Sequence, residues 1–236
     1  MTNQQRALVT GGSRGLGRAL VVWLVQHGWH VIVDARDPAD LLNATAALPR
    51  VQAVAGDVAD PAHRARLVEL AELSGGLDLL VNNASTLGVS PLPALAAYPL
   101  DELEWVLRVN TVAPLAMIQG LLPVLRPGAR VLNVSSDAAV EAYPGWGGYG
   151  ASKAALDQVS AVLAAENPGL RVYAVDPGDM RTDMHQRAYP GQDIGDRPMP
   201  ESVLPALRGL IAGELPSGRY RAAELLVSAA ESAVAR

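Results

Sequence analysis

The chain predicts an α/β fold, a doubly wound parallel sheet of seven strands, in a single domain spanning residues 1–236. Apolar runs of four to six residues alternate with longer segments of helical period, the pattern of a parallel sheet buried between helices. A glycine-rich turn joins the first apolar run to the first helical segment, as at the start of a β-α-β unit. Half of the 236 residues are hydrophobic, enough to bury one substantial core, and no repeat or low-complexity linker divides the chain.

Taken in order, strands are expected near residues 7–10, 30–34, 51–55, 77–81, 130–135 and 171–175, where Val, Leu, Ile and Ala cluster, with a weaker strand near 219–223. Between them, helical periodicity predicts helices over 15–27, 39–48, 61–73, 100–122, 149–166 and 201–212. Two stretches break the alternation: 85–99, rich in Pro and small residues, and 177–200, rich in Pro, Gly and polar residues. Both leave from carboxyl ends of strands, where open α/β sheets bind ligands, so 179–200 is expected to be a substrate lid.

Composition narrows the function. With a net charge of -5, no basic run and no aromatic-basic stripe, the chain gives nucleic acid nothing to bind to electrostatically. Cysteine is absent, which excludes disulfides and thiolate chemistry. Residues 1–6 run straight into an apolar strand without the apolar core of a signal peptide, and no apolar run approaches membrane-spanning length, so a cytoplasmic protein without a membrane partner is expected. The four histidines, His27, His30, His63 and His185, lack metal-ligand spacing, and no metal is expected.

Lys153 is the only lysine; the other eighteen of the 19 basic residues are Arg. It follows Tyr149 by four positions, which on a helix puts phenol and ammonium on one face. A nearby positive charge favours phenolate, so Lys153 is expected to lower the Tyr149 pKa and fit Tyr149 for giving and taking a proton.

After the first strand comes Thr10-Gly11-Gly12-Ser13-Arg14-Gly15-Leu16-Gly17. Glycines allow a tight turn and close approach to a pyrophosphate, with amides and the helix dipole facing the anion. The spacing Gly-x-x-x-Gly-x-Gly, taken with Tyr149-x-x-x-Lys153, resembles the short-chain dehydrogenase/reductase family, in its shorter single-domain branch. Further matches in the family's order are Asp57, Asn82-Asn83-Ala84, Asn110, Ser135-Ser136 and Pro177-Gly178-x-x-x-Thr182, so the resemblance covers nearly the whole chain.

The resemblance implies a Rossmann fold and a nicotinamide cofactor. It implies cofactor contacts at Gly11, Ser13, Arg14, Gly15, Leu16 and Gly17, at Asp57 and Val58 for the adenine, at Asn83 and Ala84 beneath a ribose, and at Pro177, Gly178 and Thr182 near the nicotinamide. Asp57 reads equally as a turn or capping residue before Pro61. Past the second strand, a carboxylate favours the ribose hydroxyl of NAD(H) and Arg the phosphate of NADP(H). The family's Asp position falls on Ala35 and its basic position on Arg36, so NADP(H) is favoured; Asp34, one residue earlier, keeps NAD(H) open.

Hydride transfer to a carbonyl builds charge on oxygen, which calls for a proton donor and a second hydrogen-bond donor. The resemblance assigns these to Tyr149 and Ser136, with Ser135 as competitor; Lys153 would hold the nicotinamide ribose and Asn110 order a relay water. Substrate contacts are expected at Ser85, which replaces the family's Gly, at Trp146, Asp179 and Met184, and around them at Leu87, Val89, Asp137, Met180 and His185. The expected activity interconverts a carbonyl and a secondary alcohol on a small molecule. A cofactor-sensing binding protein, or a dehydratase or isomerase using the same Tyr and Lys, stays open. A homodimer or homotetramer is expected; in place of the family's Asp-Gly-Gly element, Gly218-Arg219-Tyr220-Arg221 leads into an Ala-rich run over 222–235.

Overall fold

The computed structural model describes residues 4–227. Among these residues seven strands form one sheet: β1 (Arg6–Val9), β2 (His30–Ala35), β3 (Val51–Ala55), β4 (Leu77–Asn82), β5 (Leu125–Val134), β6 (Arg171–Asp176) and β7 (Gly218–Arg221). All neighbours are parallel, in the order β3-β2-β1-β4-β5-β6-β7. The order reverses between β1 and β4, and at such a point the crossovers diverge and open a crevice above the carboxyl ends of the strands. The Ala-rich run expected over 222–235 is described only to Val227, so most of it lies outside the described residues.

Strand parity builds two cores. Ala7 and Val9 of β1, with Val31, Val33 and Ala35 of β2, face α1 (Gly15–Gln26) and α8 (Leu204–Ala212). Leu8 and Ile32 point the other way, toward α3 (Pro61–Leu73) and α5 (Ala113–Leu121). A strand buried on both faces reads as a continuous apolar run, which is why these strands stand out in the sequence. Helix starts are marked as clearly. Asp37 caps α2 (Pro38–Thr45) through the amides of Ala39 and Asp40, and Asp60 caps α3 through Ala62, each followed by Pro at the first helical position.

Three expectations need correction. The helix expected over 100–122 is divided into α4 (Leu100–Leu107), a π-helical turn (Arg108–Val112) and α5. Its apolar character is that of a membrane span by composition, with mean hydropathy 1.3, yet the π turn breaks it and 44% of that window is buried in the protein. The widened turn lets the adjacent Asn110 and Thr111 both reach Ser152, through Asn110 Nδ2 to Ser152 Oγ (2.9 Å) and Thr111 Oγ1 to Ser152 O (2.9 Å). Second, β5 begins at Leu125, five residues before the expected 130, despite Pro127 and Gly128; the register shift opposite Leu77 and Leu79 accommodates them as an irregularity. Third, the segment 177–200 is not wholly irregular, because it contains α7 (Asp183–Ala188), capped by Thr182 Oγ1 on the amide of His185. The longest helix, α6 (Gly147–Glu166), starts two residues earlier than expected and carries Tyr149 and Lys153.

Candidate active site

A cleft of about 1390 Å³ runs over the carboxyl ends of the strands, from the glycine turn at one end to Trp146 and Tyr189 at the other. At the first end the turn is held by its neighbours. Gly11 and Gly15 have φ of 71° and 54°, in the left-handed region that favours glycine. Thr10 Oγ1 accepts from the amides of Asn83 (3.1 Å) and Ala84 (3.0 Å). Asn83 Nδ2 returns two bonds, to the carbonyls of Thr10 (2.9 Å) and Gly11 (3.0 Å), so this side chain fastens β4 to the turn. Gly17 does not face the cleft; a Cβ there would run into the Gly11 carbonyl and Asn83 Nδ2, so it permits close packing of helix on turn.

Asp34 is held from two sides. Its Oδ1 accepts from the Gly11 amide (2.7 Å), its Oδ2 meets His63 Nε2 (3.0 Å), and its carbonyl accepts from the Gly12 amide (2.8 Å). The side chains of Asp34 and His63 are 2% and 5% exposed. Both oxygens are engaged, on the turn and on α3, and Asp34 borders the cleft together with Ala35 and exposed Arg36. Nothing in the sequence revealed this pair across 29 residues, although a lone Asp in an apolar strand is itself a signal that a buried partner exists. Asp57 also differs from the adenine contact expected of it: its Oδ1 accepts from the Ala59 amide (2.8 Å), and it is absent from the cleft wall, where Val58 stands. The Arg14 guanidinium meets Asp40 (2.9 Å) and Asp183 (3.3 Å), bridging α2 and α7 across the turn. All three side chains are exposed, and such pairs are readily exchanged for another anion.

Midway along the cleft, Tyr149 and Lys153 lie one turn apart on α6, 9% and 1% exposed. Lys153 Nζ donates to the Val134 carbonyl (2.7 Å) and sits 5.5 Å from the centre of the Tyr149 ring. Burial pushes the lysine down to about 8, with Asp157 opposing. Burial also pushes the Tyr149 phenol above its ordinary value; hydrogen bonds with Ser136 and Ser85 pull it back, and Asp137 and Asp176 add to the rise. Where a lowering by Lys153 was expected, the phenol is raised, with burial the largest cause.

Ser136, not Ser135, is among the groups that hold the Tyr149 pKa down. Its Oγ donates to Asp137 Oδ1 (2.9 Å) and accepts from the Ala138 amide (3.2 Å), while the buried Ser135 hydroxyl has no partner among the described residues. Asn110 is fully buried and does not touch the cleft. Its Oδ1 accepts from the Thr86 amide (2.8 Å) and Ser85 Oγ (3.1 Å), and its Nδ2 donates to Thr86 O (2.9 Å) as well as Ser152, so it fixes the 85–86 segment beside Tyr149. Arg219, which the sequence placed only in a weak strand, donates to the Ser136 carbonyl (2.9 Å) and to Asp157 (2.9 Å).

The far end of the cleft gathers Ser85, Leu87, Asp137, Trp146, Asp179, Met180, Met184 and His185, as expected, and adds Tyr143 and Tyr189. Val89, expected with them, is not on the wall. Pro177, Gly178 and Thr182 line the middle, and Thr182 Cγ2 lies 3.4 Å from where a Cβ on Gly15 would stand. The α7 segment is tied down by Ser90 Oγ to Arg187 O (2.6 Å), Arg187 to Gly88 O (3.3 Å) and Asp179 to Arg197 (3.3 Å).

A glycine turn opening a helix, sharing one cleft with a buried tyrosine and lysine at a topological switch point, is the arrangement of an oxidoreductase of the nucleotide-binding α/β class. The chain belongs to the short-chain dehydrogenase family, whose model matches residues 5–193. It is 40% identical over 185 residues to the rhamnolipid-biosynthesis 3-oxoacyl-[acyl-carrier-protein] reductase of Pseudomonas aeruginosa, covering 73% of this chain and 71% of that one. It is 37% identical over 199 residues to mouse sepiapterin reductase, covering 77% and 76%. Among solved structures, a short-chain dehydrogenase from Pseudomonas syringae superposes with TM-score 0.86 at 29% identity, over 92% of this chain and 94% of that one. One from Escherichia coli, complexed with NADPH, matches with TM-score 0.86 at 26% identity, over 93% and 97%.

Proposed function

We propose that the protein is an NADP(H)-dependent reductase that interconverts a carbonyl and a secondary alcohol on a small molecule, with Tyr149 as acid and base. The observation that carries this reading is the Tyr149 phenol, buried on the cleft wall that Ser136 and Ser85 also line, with the chain's one lysine a turn away on the same helix. The phenol carries its proton at neutral pH and stands on the cleft wall, where it can give that proton to the oxygen of a substrate carbonyl as charge builds there. Ser136 supplies the second hydrogen bond to that oxygen once its hydroxyl turns from Asp137 Oδ1, to which it donates without substrate. Asn110 acts as a positioning residue for Ser85 and Thr86.

The residues fit a dinucleotide. The left-handed Gly11 and Gly15 leave backbone bare where a pyrophosphate would approach, and Ser13, Leu16, Val58, Ala84, Pro177, Gly178 and Thr182 continue the wall. When bound, the nicotinamide supplies or accepts the hydride. For the adenosine phosphate, Arg36 stands on the rim with no ion-pair partner among the described residues and Arg14 would exchange Asp40 and Asp183 for it, while both Asp34 oxygens already have partners in Gly11 and His63. The NADPH and NADP complexes of two 26% identical neighbours support the same choice. Replacing Arg36 with Ala is expected to raise the KM for NADPH about 10- to 100-fold, the loss of one charge-assisted contact, and to leave the KM for NADH nearly unchanged. Initial rates of oxidation of the two cofactors at 340 nm, over a panel of ketones, aldehydes and β-ketoacyl thioesters, test this; equal effects on both cofactors would remove Arg36 from phosphate recognition.

In this reading α7 and the residues around it, 179–200, act as the lid. A second copy of the chain would cover Leu100, Val112 and Val162, exposed apolar side chains on the helices that carry Asn110 and Tyr149.

A further inference from the structure

Aromatic side chains are scarce in this protein and unevenly spent. The chain has 6 Tyr, 4 Trp and no Phe, ten aromatics in all. Four of the ten, Tyr143, Trp146, Tyr149 and Tyr189, stand at one end of the cleft. Trp146 meets the Tyr149 ring edge-on, with centroids 5.7 Å apart at 70°, and Tyr189 at 6.1 Å and 51°. The His185 ring adds a further flat face, 5.0 Å from Tyr189 at 41°. Met184 and Leu87 pack among these rings. Trp146 and Tyr189 are only partly buried, so the cluster is not closed on itself as a core would be.

From this we infer that the substrate is a planar, conjugated carbonyl compound, an aryl ketone or a fused-ring ketone, rather than a flexible aliphatic chain. Rings inclined to one another present edges and faces at once, and a flat guest can stack on one ring while meeting the edge of the next. The thioether of Met184 adapts to such a guest and favours contact with its ring. An alkyl chain would gain contact area here but none of the ring-to-ring attraction, and it would lose more rotational freedom on binding. The carbonyl of a flat substrate seated against Trp146 is held beside the Tyr149 phenol, the two rings being in contact.

The inference rests on the reductase reading for turnover and on the cleft alone for binding, and the test separates them. Acetophenone and cyclohexyl methyl ketone share a carbon skeleton and differ in planarity and π-electrons. Binding of each to the protein loaded with NADP is measured by calorimetry, and reduction of each with NADPH by absorbance at 340 nm. Acetophenone is expected to bind about ten-fold more tightly, the size of one or two aromatic contacts. In Trp146→Leu and Tyr189→Leu the ratio of the two ketones is expected to fall toward one, whatever happens to the absolute values. Equal binding of the two ketones, or of neither, overturns the inference, as does a preference that survives both substitutions. Selective binding without reduction upholds the inference and overturns the reductase reading.

Discussion

Tyr149→Phe is expected to reduce carbonyl reduction by about 10²- to 10⁴-fold, the usual share of general acid catalysis, while NADPH binding stays close to that of the parent. The substitution removes one oxygen from a ring that is otherwise held by Trp146, Leu87 and Ala138, so the shape of the cleft is preserved. In the proposed reaction, what disappears is the proton that goes to the substrate oxygen as hydride arrives. Ser136 and Ser85 keep their bonds to Asp137 and Asn110, so no buried hydroxyl is stranded and stability should change by less than about 1 kcal/mol. Turnover at 340 nm and fluorescence titration with NADPH separate the two effects. A variant that retains a tenth or more of the parent rate would show that the proton comes from elsewhere.

His63→Leu should have the largest effect on stability. It strips the Asp34 carboxylate of the partner on its Oδ2 in a site where both side chains are almost wholly buried. Removing one member of a buried pair typically costs about 3 to 5 kcal/mol, because the remaining charge is neither solvated nor matched. The other oxygen of Asp34 holds the Gly11 amide, so the damage reaches the phosphate-binding turn, and the KM for NADPH should rise more than kcat falls. Urea unfolding followed by fluorescence reads the first effect and steady-state kinetics the second. Asp34→Asn is the milder control, since an amide can still accept from Gly11 and bond a neutral imidazole. A His63→Leu protein as stable as the parent would mean that Asp34 finds solvent or another donor.

The elements that could be read from the chain are those whose signal is local. Residues such as Val31 and Val33 of β2 alternate with Ile32 between two apolar layers, and Asp37-Pro38 and Asp60-Pro61 announce their helices within two residues. The glycine turn and the pair Tyr149 and Lys153 are equally compact patterns. What escaped depends on partners far away in sequence. Asp34 is a cofactor candidate until His63 is seen beneath it. The π turn is dictated by the reach of Asn110 and Thr111 to Ser152, 42 and 41 residues on. Arg219 becomes part of the site only because β7 lies beside β6 and brings its guanidinium to the Ser136 carbonyl, 83 residues away. The six-residue α7 is too short to impose a period, and the prolines around it read as loop. The pKa of Tyr149 escaped for a related reason, since sequence shows the charge beside the phenol but not the depth at which both are buried.

The solitary lysine has a practical consequence. Reagents that acylate primary amines have one side-chain target in this protein, and it lies 1% exposed at the floor of the cleft. Modification at that position therefore requires the amine to leave the Val134 carbonyl of β5 and turn into the cleft. The rate of acylation at Lys153 is a built-in clock for that release, read from a single peptide by mass spectrometry without any engineered label.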